Sequence, residues 1–263
     1  MFSKIIKSFL GLLGIRVVRD SKYLSLVKLV ERHRKILSIL EMTISPDSRT
    51  KLLELLPKSN SQTGQDLFAL VCNNFKRNGF YIEIGATDGV RISNTLILAK
   101  EYAWTGILCE PSLFWKESLI QNRSESRIET KCCWNQSGVF LDFLESNEKE
   151  LSTISRFSSS DNYKKIRKRG SKYKVETISM LDMLLQNQAP KIVDFLSIDT
   201  EGSEFWILKD FPFNEYRFNC VVVEHNFGKH KSDILKLFTD AGYSQVCEDV
   251  SAQDFWFVPR TLL

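Results

Sequence analysis

The sequence predicts a doubly wound α/β fold, a mostly parallel sheet with helices on both faces and an N-terminal helical extension before it. Three observations carry this. From about residue 63, short β-rich runs alternate with helical runs, the texture of a parallel sheet whose crossovers are helices. The stretch FYIEIGATDGVRISNT, Phe80 to Thr95, reads as a buried strand that breaks into glycine and starts a helix near Val90. No helical pattern separates the last two strand-like runs, so they form an antiparallel hairpin at one edge.

The extension is assigned to residues 1–62. Its first run, MFSKIIKSFLGLLGIRVV, sets Phe2, Ile5, Ile6, Phe9, Leu10 and Leu13 at helical spacing, with Lys4, Lys7 and Ser8 opposite. It lacks the long apolar core and small-residue cleavage site of a signal peptide, and it is short and interrupted for a membrane span. Two readings stay open: a helix packed on the domain or on a second copy, giving a homodimer, and an in-plane membrane helix over residues 1–18 whose lysines meet anionic lipid. LSLVKLVERHRKILSILEM then keeps apolar positions three and four apart. TISPDSRTKLLELLPKSNSQTG sets turn residues around a short helix.

The domain, 63–263, has strands in GFYIEIG, TGILCEP, RIETKCCW, VDFLSIDTEG, NCVVVEHN, YSQVCEDV and DFWFVPR. Helices fall around residues 94–102, 113–122, 181–186, 204–209 and 231–241, and a β-hairpin, GVFLDFLE, follows the third strand. Residues 151–174, serine-rich and then strongly basic, read either as a solvated insertion loop or as a lid attracting an anionic acceptor.

Composition narrows the partners. A net charge of +4 is too mild to argue for nucleic acid, and the basic segment lacks the interleaved aromatics that stack bases. The six cysteines include no C-x-x-C, and the only close pair is Cys132-Cys133. They read as reduced core thiols of a cytoplasmic chain, with membrane association open through the first residues.

The chemistry begins at Glu83, an acid inside an apolar run. A buried carboxylate is costly without partners. Gly85 can take positive φ or let a ligand approach, and Asp88 adds a second acid at the same turn. Two acids would repel a dinucleotide pyrophosphate and suit a cationic ligand. Glu110 ends the second strand, where an acid accepts hydrogen bonds from ribose hydroxyls. A nucleoside with a positively charged tail describes S-adenosylmethionine.

FYIEIGATDGVRISNT, GILCEPS and VDFLSIDTEGSEFWILKDF, with GQDLF before and VVVEHNF after, closely resemble the FkbM-type methyltransferases, from about Gln65 to Pro259. The resemblance implies a Rossmann-like, seven-stranded class I methyltransferase sheet, S-adenosylmethionine, and methyl transfer to oxygen, often on sugars or natural products. One departure is Thr87, at the middle glycine position of the general methyltransferase pattern.

Carried over to this chain, the resemblance puts Glu83, Gly85, Ala86, Thr87 and Asp88 around the methionine part of the cofactor. Asn94 and Thr95 bond its carboxylate or order the turn, Glu110 takes the ribose, and Pro111 and Ser112 shape the adenine edge. Trp134 lines the adenine pocket or packs in the core. Asp199, Glu224 and His225 form the catalytic cluster, with His225 the expected base and Asp199 the other candidate. The same three could instead hold Mg²⁺ or another divalent ion. Glu201 and Glu204 could simply cap the next helix.

The expected activity is O-methyl transfer to a hydroxyl on a sugar or a glycan or glycolipid precursor. The alternatives are methylation of another small molecule or of nucleic acid, which lacks an N-P-P-Y-like motif here, and a methyltransferase-fold protein that only binds.

Overall fold

The computed structural model describes residues 38–39, 41–42, 45–159, 163–248, 251 and 253–262. The amphipathic run 1–18 and most of the second helical stretch, and with them the membrane and dimer readings, lie outside the described residues. Among the described residues, no helix is long and apolar enough to cross a membrane.

Thirteen strands and eight α-helices are described in chain order. Helices α1 (Pro46–Leu55) and α2 (Gln65–Cys72) precede β1 (Phe80–Ile84), which is followed by α3 (Leu96–Tyr102), β2 (Thr105–Cys109), α4 (Lys116–Asn122) and β3 (Arg127–Glu129). The chain then forms β4 (Cys132–Trp134), β5 (Phe140–Glu145), β6 (Thr153–Ile154), α5 (Lys164–Arg167) and β7 (Ser171–Ser179). It continues through α6 (Met180–Gln186), β8 (Ile192–Val193), β9 (Phe195–Ile198), α7 (Glu204–Leu208), β10 (Arg217–Phe218), β11 (Val221–Glu224), α8 (Lys231–Asp240), β12 (Tyr243–Val246) and β13 (Asp254–Pro259).

The main sheet has seven strands in the order β12-β13-β11-β9-β1-β2-β3. Only β13 runs against its neighbours, so the expected antiparallel pair closes the edge. From β1 the chain winds outward through β2 and β3, then returns to β9 on the other side of β1. The order therefore reverses between β1 and β9, where a crevice opens at the carboxyl ends of parallel strands.

Alternation along the strands sorts the core into two layers. Ile82, Ile84, Ile107, Leu196, Ile198 and Val221 face α6, α7 and α8, packing with Met183, Leu208 and Phe238. Tyr81, Leu108, Phe195 and Val222 face the other way, onto Leu52, Phe68, Leu98 and Leu119 of α1 to α4. Because side chains alternate every residue, Glu83 must point into the second layer with Tyr81. The extension's helix α1 belongs to that layer too, capped by the Ser45 hydroxyl on the Ser48 amide at 3.1 Å.

Three expectations are corrected. RIETKCCW is not one strand: β3 pairs with β2, whereas β4 leaves to pair with β7. GVFLDFLE is not a hairpin on its own; β5 pairs with β7, which was not foreseen, and with β6. The basic insertion is accordingly not a bare loop. Its described residues supply β6, α5 and the start of β7 to a four-stranded sheet, β4-β7-β5-β6, sealed by Cys132, Phe143, Ile154, Phe157 and Val175. All six cysteines are free thiols, four of them buried.

Candidate functional site

A cavity open to solvent lies over the ends of β1, β2, β9 and β11. Its floor is acidic. Glu83, Gly85, Ala86, Thr87, Asn94, Glu110, Pro111, Asp199 and Glu224, all expected, line it.

Glu83 is consumed by its own wall. Its Oε1 accepts from the Asn94 amide at 2.7 Å, and its Oε2 accepts from Ser93 Oγ at 3.0 Å and Thr95 Oγ1 at 2.5 Å. Behind these hydroxyls lies Arg123, a fully buried arginine of the α4 C-terminus. It donates to Ser93 and Thr95, to the Tyr81 hydroxyl at 2.7 Å, to the Gly89 carbonyl and to Glu125. Burial pushes the Glu83 carboxyl up, and Arg123 opposes that. The acid in the apolar run therefore ties the 93–95 turn to the sheet. Its exit leaves Asn94 Nδ2 on Ser197 Oγ at 2.9 Å, across the β1–β9 crevice.

The turn itself differs from expectation. No helix starts near Val90: Asp88 Oδ1 accepts from the amides of Val90 and Arg91 at 2.9 and 2.8 Å, and α3 begins only at Leu96. The amides that a helix start there would have exposed are spent on that carboxylate. Neither Asp88 nor Thr95 reaches the cavity wall. Gly85 has φ +90°, and a Cβ there would sit 1.7 Å from the Asp199 carbonyl oxygen. Its bareness is what allows β1 and β9 to close up at the crevice.

Glu110 stands across from this turn. Its Oε2 accepts from the Thr87 amide at 3.0 Å and its Oε1 from the Ser112 amide at 2.9 Å. Burial lifts its pKa to about 7, although the two amides pull the other way. Thr87, at φ +48°, is thus positioned by its backbone. Ser112 turns its hydroxyl to Glu145 at 3.2 Å rather than to the cavity.

At the ends of β9 and β11, Asp199, Glu201 and Glu224 bring one carboxylate oxygen each within 4.8 Å of one another. Burial raises both Asp199 and Glu224, and Glu224 rises furthest because Asp199, Glu201 and Glu204 add repulsion. Burial and the neighbouring acids therefore favour the protonated form of Glu224, beside Asp199. Among the described residues no N–H or hydroxyl donates to Glu224 Oε2. Glu201, held at φ +59°, accepts from Arg167 Nη2 at 2.7 Å and Asn226 Nδ2 at 3.2 Å. Glu204 caps the turn before α7, taking the Thr200 and Gly202 amides at 2.9 and 3.0 Å.

His225 does not join them. Its ring packs 4.4 Å from that of Phe255, its Nδ1 accepts from the Phe227 amide at 3.1 Å, and it is absent from the cavity wall. Burial, aided by Lys231, lowers its pKa to about 4. The alternation of β11 explains this: Glu224 faces the crevice, so the next side chain faces the helix layer. Glu201 takes the place expected of His225 in the acidic triad.

The second wall is the insertion. Lys149, Glu150, Leu151, Ser152, Ile154 and Tyr163 line the cavity opposite the sheet. Arg167, buried to 1% exposure, joins the Leu151 carbonyl at 2.6 Å to Glu201, and Arg91 pairs with Glu150 at 2.9 Å. Trp134 is a packing residue of this wall, stacked on Trp206 at 5.7 Å and capped by the Arg156 guanidinium at 4.2 Å. It lies outside the main cavity, because β4 has left the main sheet. Trp115, Cys132 and Cys133 line the cavity instead. Together with Arg123, Ser197 and Arg167, they escaped the sequence reading.

The methyltransferase FkbM domain model matches residues 83–244, well over half of the chain. No curated protein matches. Among solved structures, the methyltransferase FkbM of Methylobacillus flagellatus KT is 11% identical with a TM-score of 0.40. That alignment covers 88% of this chain and 59% of that one, so this chain spans less than two thirds of it. A precorrin-6y C5,15-methyltransferase from Geobacter metallireducens GS-15 is 9% identical over 76% and 89% of the two chains, with a TM-score of 0.39. A TehB-like SAM-dependent methyltransferase from Corynebacterium glutamicum ATCC 13032 Kitasato is 10% identical over 80% and 92%, with a TM-score of 0.37. These likenesses are remote, and the family match carries the assignment. The chain belongs to the FkbM methyltransferase domain family, and is thereby classed among S-adenosylmethionine-dependent methyltransferases.

Proposed function

We propose that the cavity binds S-adenosylmethionine and a hydroxyl-bearing acceptor together, and that the protein O-methylates a sugar or a glycan or glycolipid precursor. The observation that carries this is Glu110, a buried carboxylate fixed by two backbone amides at the end of β2 with lone pairs left for ribose hydroxyls. Gly85, Ala86, Thr87 and Asn94 would border the amino-acid end of the cofactor, with Glu83 holding the turn behind them. When bound, the cofactor supplies a methyl group on a sulfonium, an electrophile open to in-line displacement by oxygen.

The chain's own part is positioning and proton removal. Holding a hydroxyl against the methyl carbon is worth roughly 7–11 kcal/mol. Asp199, beside Glu224 at the cavity floor, is placed to accept the hydroxyl proton, a contribution of about 10²–10⁴-fold. The clustered oxygens of Asp199, Glu201 and Glu224 also suit a hard divalent cation such as Mg²⁺, which would replace the shared proton and acidify the hydroxyl. Location in the cytoplasm, with or without contact to a membrane, belongs to the same reading, and the free thiols support it.

Calorimetry with S-adenosylmethionine tests the cofactor assignment. Wild type should bind, and Glu110→Ala should bind at least tenfold more weakly; equal affinities would remove Glu110 from the ribose site. Stripping divalent ions with a chelator and restoring Mg²⁺ should abolish and return methyl transfer if the triad holds a metal, and should leave the rate untouched if the triad works by proton sharing.

A further inference from the structure

The cavity has charges of opposite sign at its two levels. Its floor carries Glu110, Asp199, Glu201 and Glu224. Its outer lip, formed by α5 and the start of β7, carries Lys164, Lys165, Lys168, Arg169 and Lys172. All five are exposed, and no carboxylate among the described residues pairs with any of them. Elsewhere on the insertion cations are matched: Lys149 with Glu145 at 2.6 Å, Lys174 with Asp142 at 2.9 Å, and Arg167 with Glu201.

The lip cannot swing away from the site as a random tail would. Tyr163 and Arg167 lie four apart, one turn of α5, and share its inner face. Tyr163 lines the cavity, and Arg167 is anchored to Leu151 and Glu201, which also line it. The intervening positions of this turn point outward, so Lys164 and Lys165 face solvent next to the cavity residue Tyr163. Tyr173 of β7 stands opposite the cavity residue Phe143, and Lys172, one residue earlier, is exposed at the start of the strand. Apolar groups share the lip: Tyr163 and Ile166 are about 40% exposed, enough to meet the carbon face of a sugar ring.

An acceptor with negative charge at its reacting end would be repelled by the floor, and a neutral acceptor would gain nothing from the lip. We infer that the acceptor is an anionic saccharide, which carries a phosphate or carboxylate group on a residue away from the hydroxyl that is methylated. This rests on the proposed methyl transfer and names its substrate class. The negative group sits among Lys164, Lys165 and Lys168 while the hydroxyl reaches Asp199. Exposed cations attract such a group over about a Debye length, near 10 Å at 0.1 M salt.

The test uses fluorescently labelled oligosaccharides of equal length in neutral, carboxylated and phosphorylated forms. Their binding to the full chain, saturated with S-adenosylhomocysteine, is read by anisotropy at 50 mM salt. The charged forms should bind at least tenfold more tightly than the neutral form. That preference should vanish in the Lys164→Ala/Lys165→Ala/Lys168→Ala triple variant and shrink several-fold at 500 mM salt. If carboxylated and phosphorylated probes differ, the tighter one identifies the group. Equal binding of neutral and charged forms, or a preference that survives in the triple variant, would overturn the inference. So would a single-stranded RNA of matched charge that binds more tightly than any saccharide. The triple variant leaves every cavity-lining residue in place, so its affinity for S-adenosylmethionine should stay at the wild-type value. Failure of wild type to bind that compound would instead defeat the underlying methyl-transfer reading.

Discussion

Each of the two walls of the cavity is held by one buried arginine, and the two arginines work differently. Arg123 stays within the sheet side. It stitches Tyr81, Ser93, Thr95 and Gly89 around Glu83, and every one of those partners lies between β1 and α4. Arg167 reaches from the insertion to Glu201 beyond β9, a separation of 34 residues, and so joins two parts of the chain that fold on separate sheets. One wall is a closed local network built into the main core. The other is docked on it through polar links and the Trp134–Trp206 stack. The difference teaches that damage to the first should cost the fold, and damage to the second should cost mainly the geometry of the site.

The sheet side also holds the chemistry, and its largest expected effect is on rate. Asp199→Asn removes the proposed proton acceptor while keeping size and backbone. Methyl transfer should fall by roughly 10²–10⁴-fold in single-turnover measurements, with affinity for S-adenosylmethionine changed little. A rate within threefold of wild type would shift the base to another group.

Next comes Arg123→Met, which conserves volume and removes the charge behind Glu83. Breaking a buried pair from one side costs about 3–5 kcal/mol. Urea unfolding should show a loss of that order, and Glu83→Gln in the same chain should restore part of it. By contrast, Arg167→Met should cost the smaller amount of a hydrogen bond to a partly exposed charge, about 1.5–3 kcal/mol. Its clearer signature is proteolysis within the insertion while the main sheet stays resistant. Equal losses in the two variants would erase the distinction between a built-in and a docked wall.

Glu110 gives a pH dependence of moderate size. Its folded pKa of about 7 lies above its ordinary value of 4.5, so ionisation is disfavoured in the empty protein. The sign follows: its contribution to stability is full below 4.5 and is lost as pH rises through about 7. Ribose hydroxyls need the ionised form, so cofactor affinity moves in the opposite direction. Between pH 6 and 8 the ionised fraction rises by roughly tenfold for a pKa near 7, and affinity should follow. Calorimetry in buffers of different ionisation enthalpy should detect proton release on binding at pH 7, and Glu110→Gln should abolish both effects.

The same contrast explains what could be read in the sequence. The parallel sheet was legible from alternating runs and the edge pair from the missing helix, while the acids of the first wall follow one short motif: an apolar alternation, a glycine, and acids at the tips of successive strands. Glu83 was found as an unusual buried acid, but its partner was not, since an arginine in QNRSESR looks like any surface residue of a helix end. His225 was misplaced because a strand's alternation reverses a side chain's face with each residue, and the last ordered residue of β11 decides which one faces the crevice. Of the two readings of Trp134, packing holds, because β4 leaves the main sheet. The insertion was hardest to read. Its strands pair across gaps of tens of residues, and SKYKVETIS alternates no more clearly than an exposed loop.

The weakest link in the docked wall is the cage around Arg156. Its guanidinium lies 4.2 Å from the Trp134 ring, 4.6 Å from Trp206 and 4.7 Å from Phe157, so one cation joins β4, α7 and the insertion. Arg156 itself is exposed, and an exposed cation–π contact is worth only about 0.5–1 kcal/mol. Arg156→Ala should therefore barely change global unfolding. Phe157 and Ile154 flank it in the insertion, and Ile154 lines the cavity, so a small shift there is transmitted to the opening. The expected pattern is a severalfold rise in KM for the acceptor, a Kd for S-adenosylmethionine within twofold of wild type, and faster proteolysis around residues 152–159. Arg156→Lys should recover only part of this, because an ammonium cannot stack flat between two indoles as a guanidinium does. If the variant instead weakened cofactor binding as much as acceptor binding, the two walls would be a single cooperative unit, and the insertion would have to be counted as part of the cofactor site.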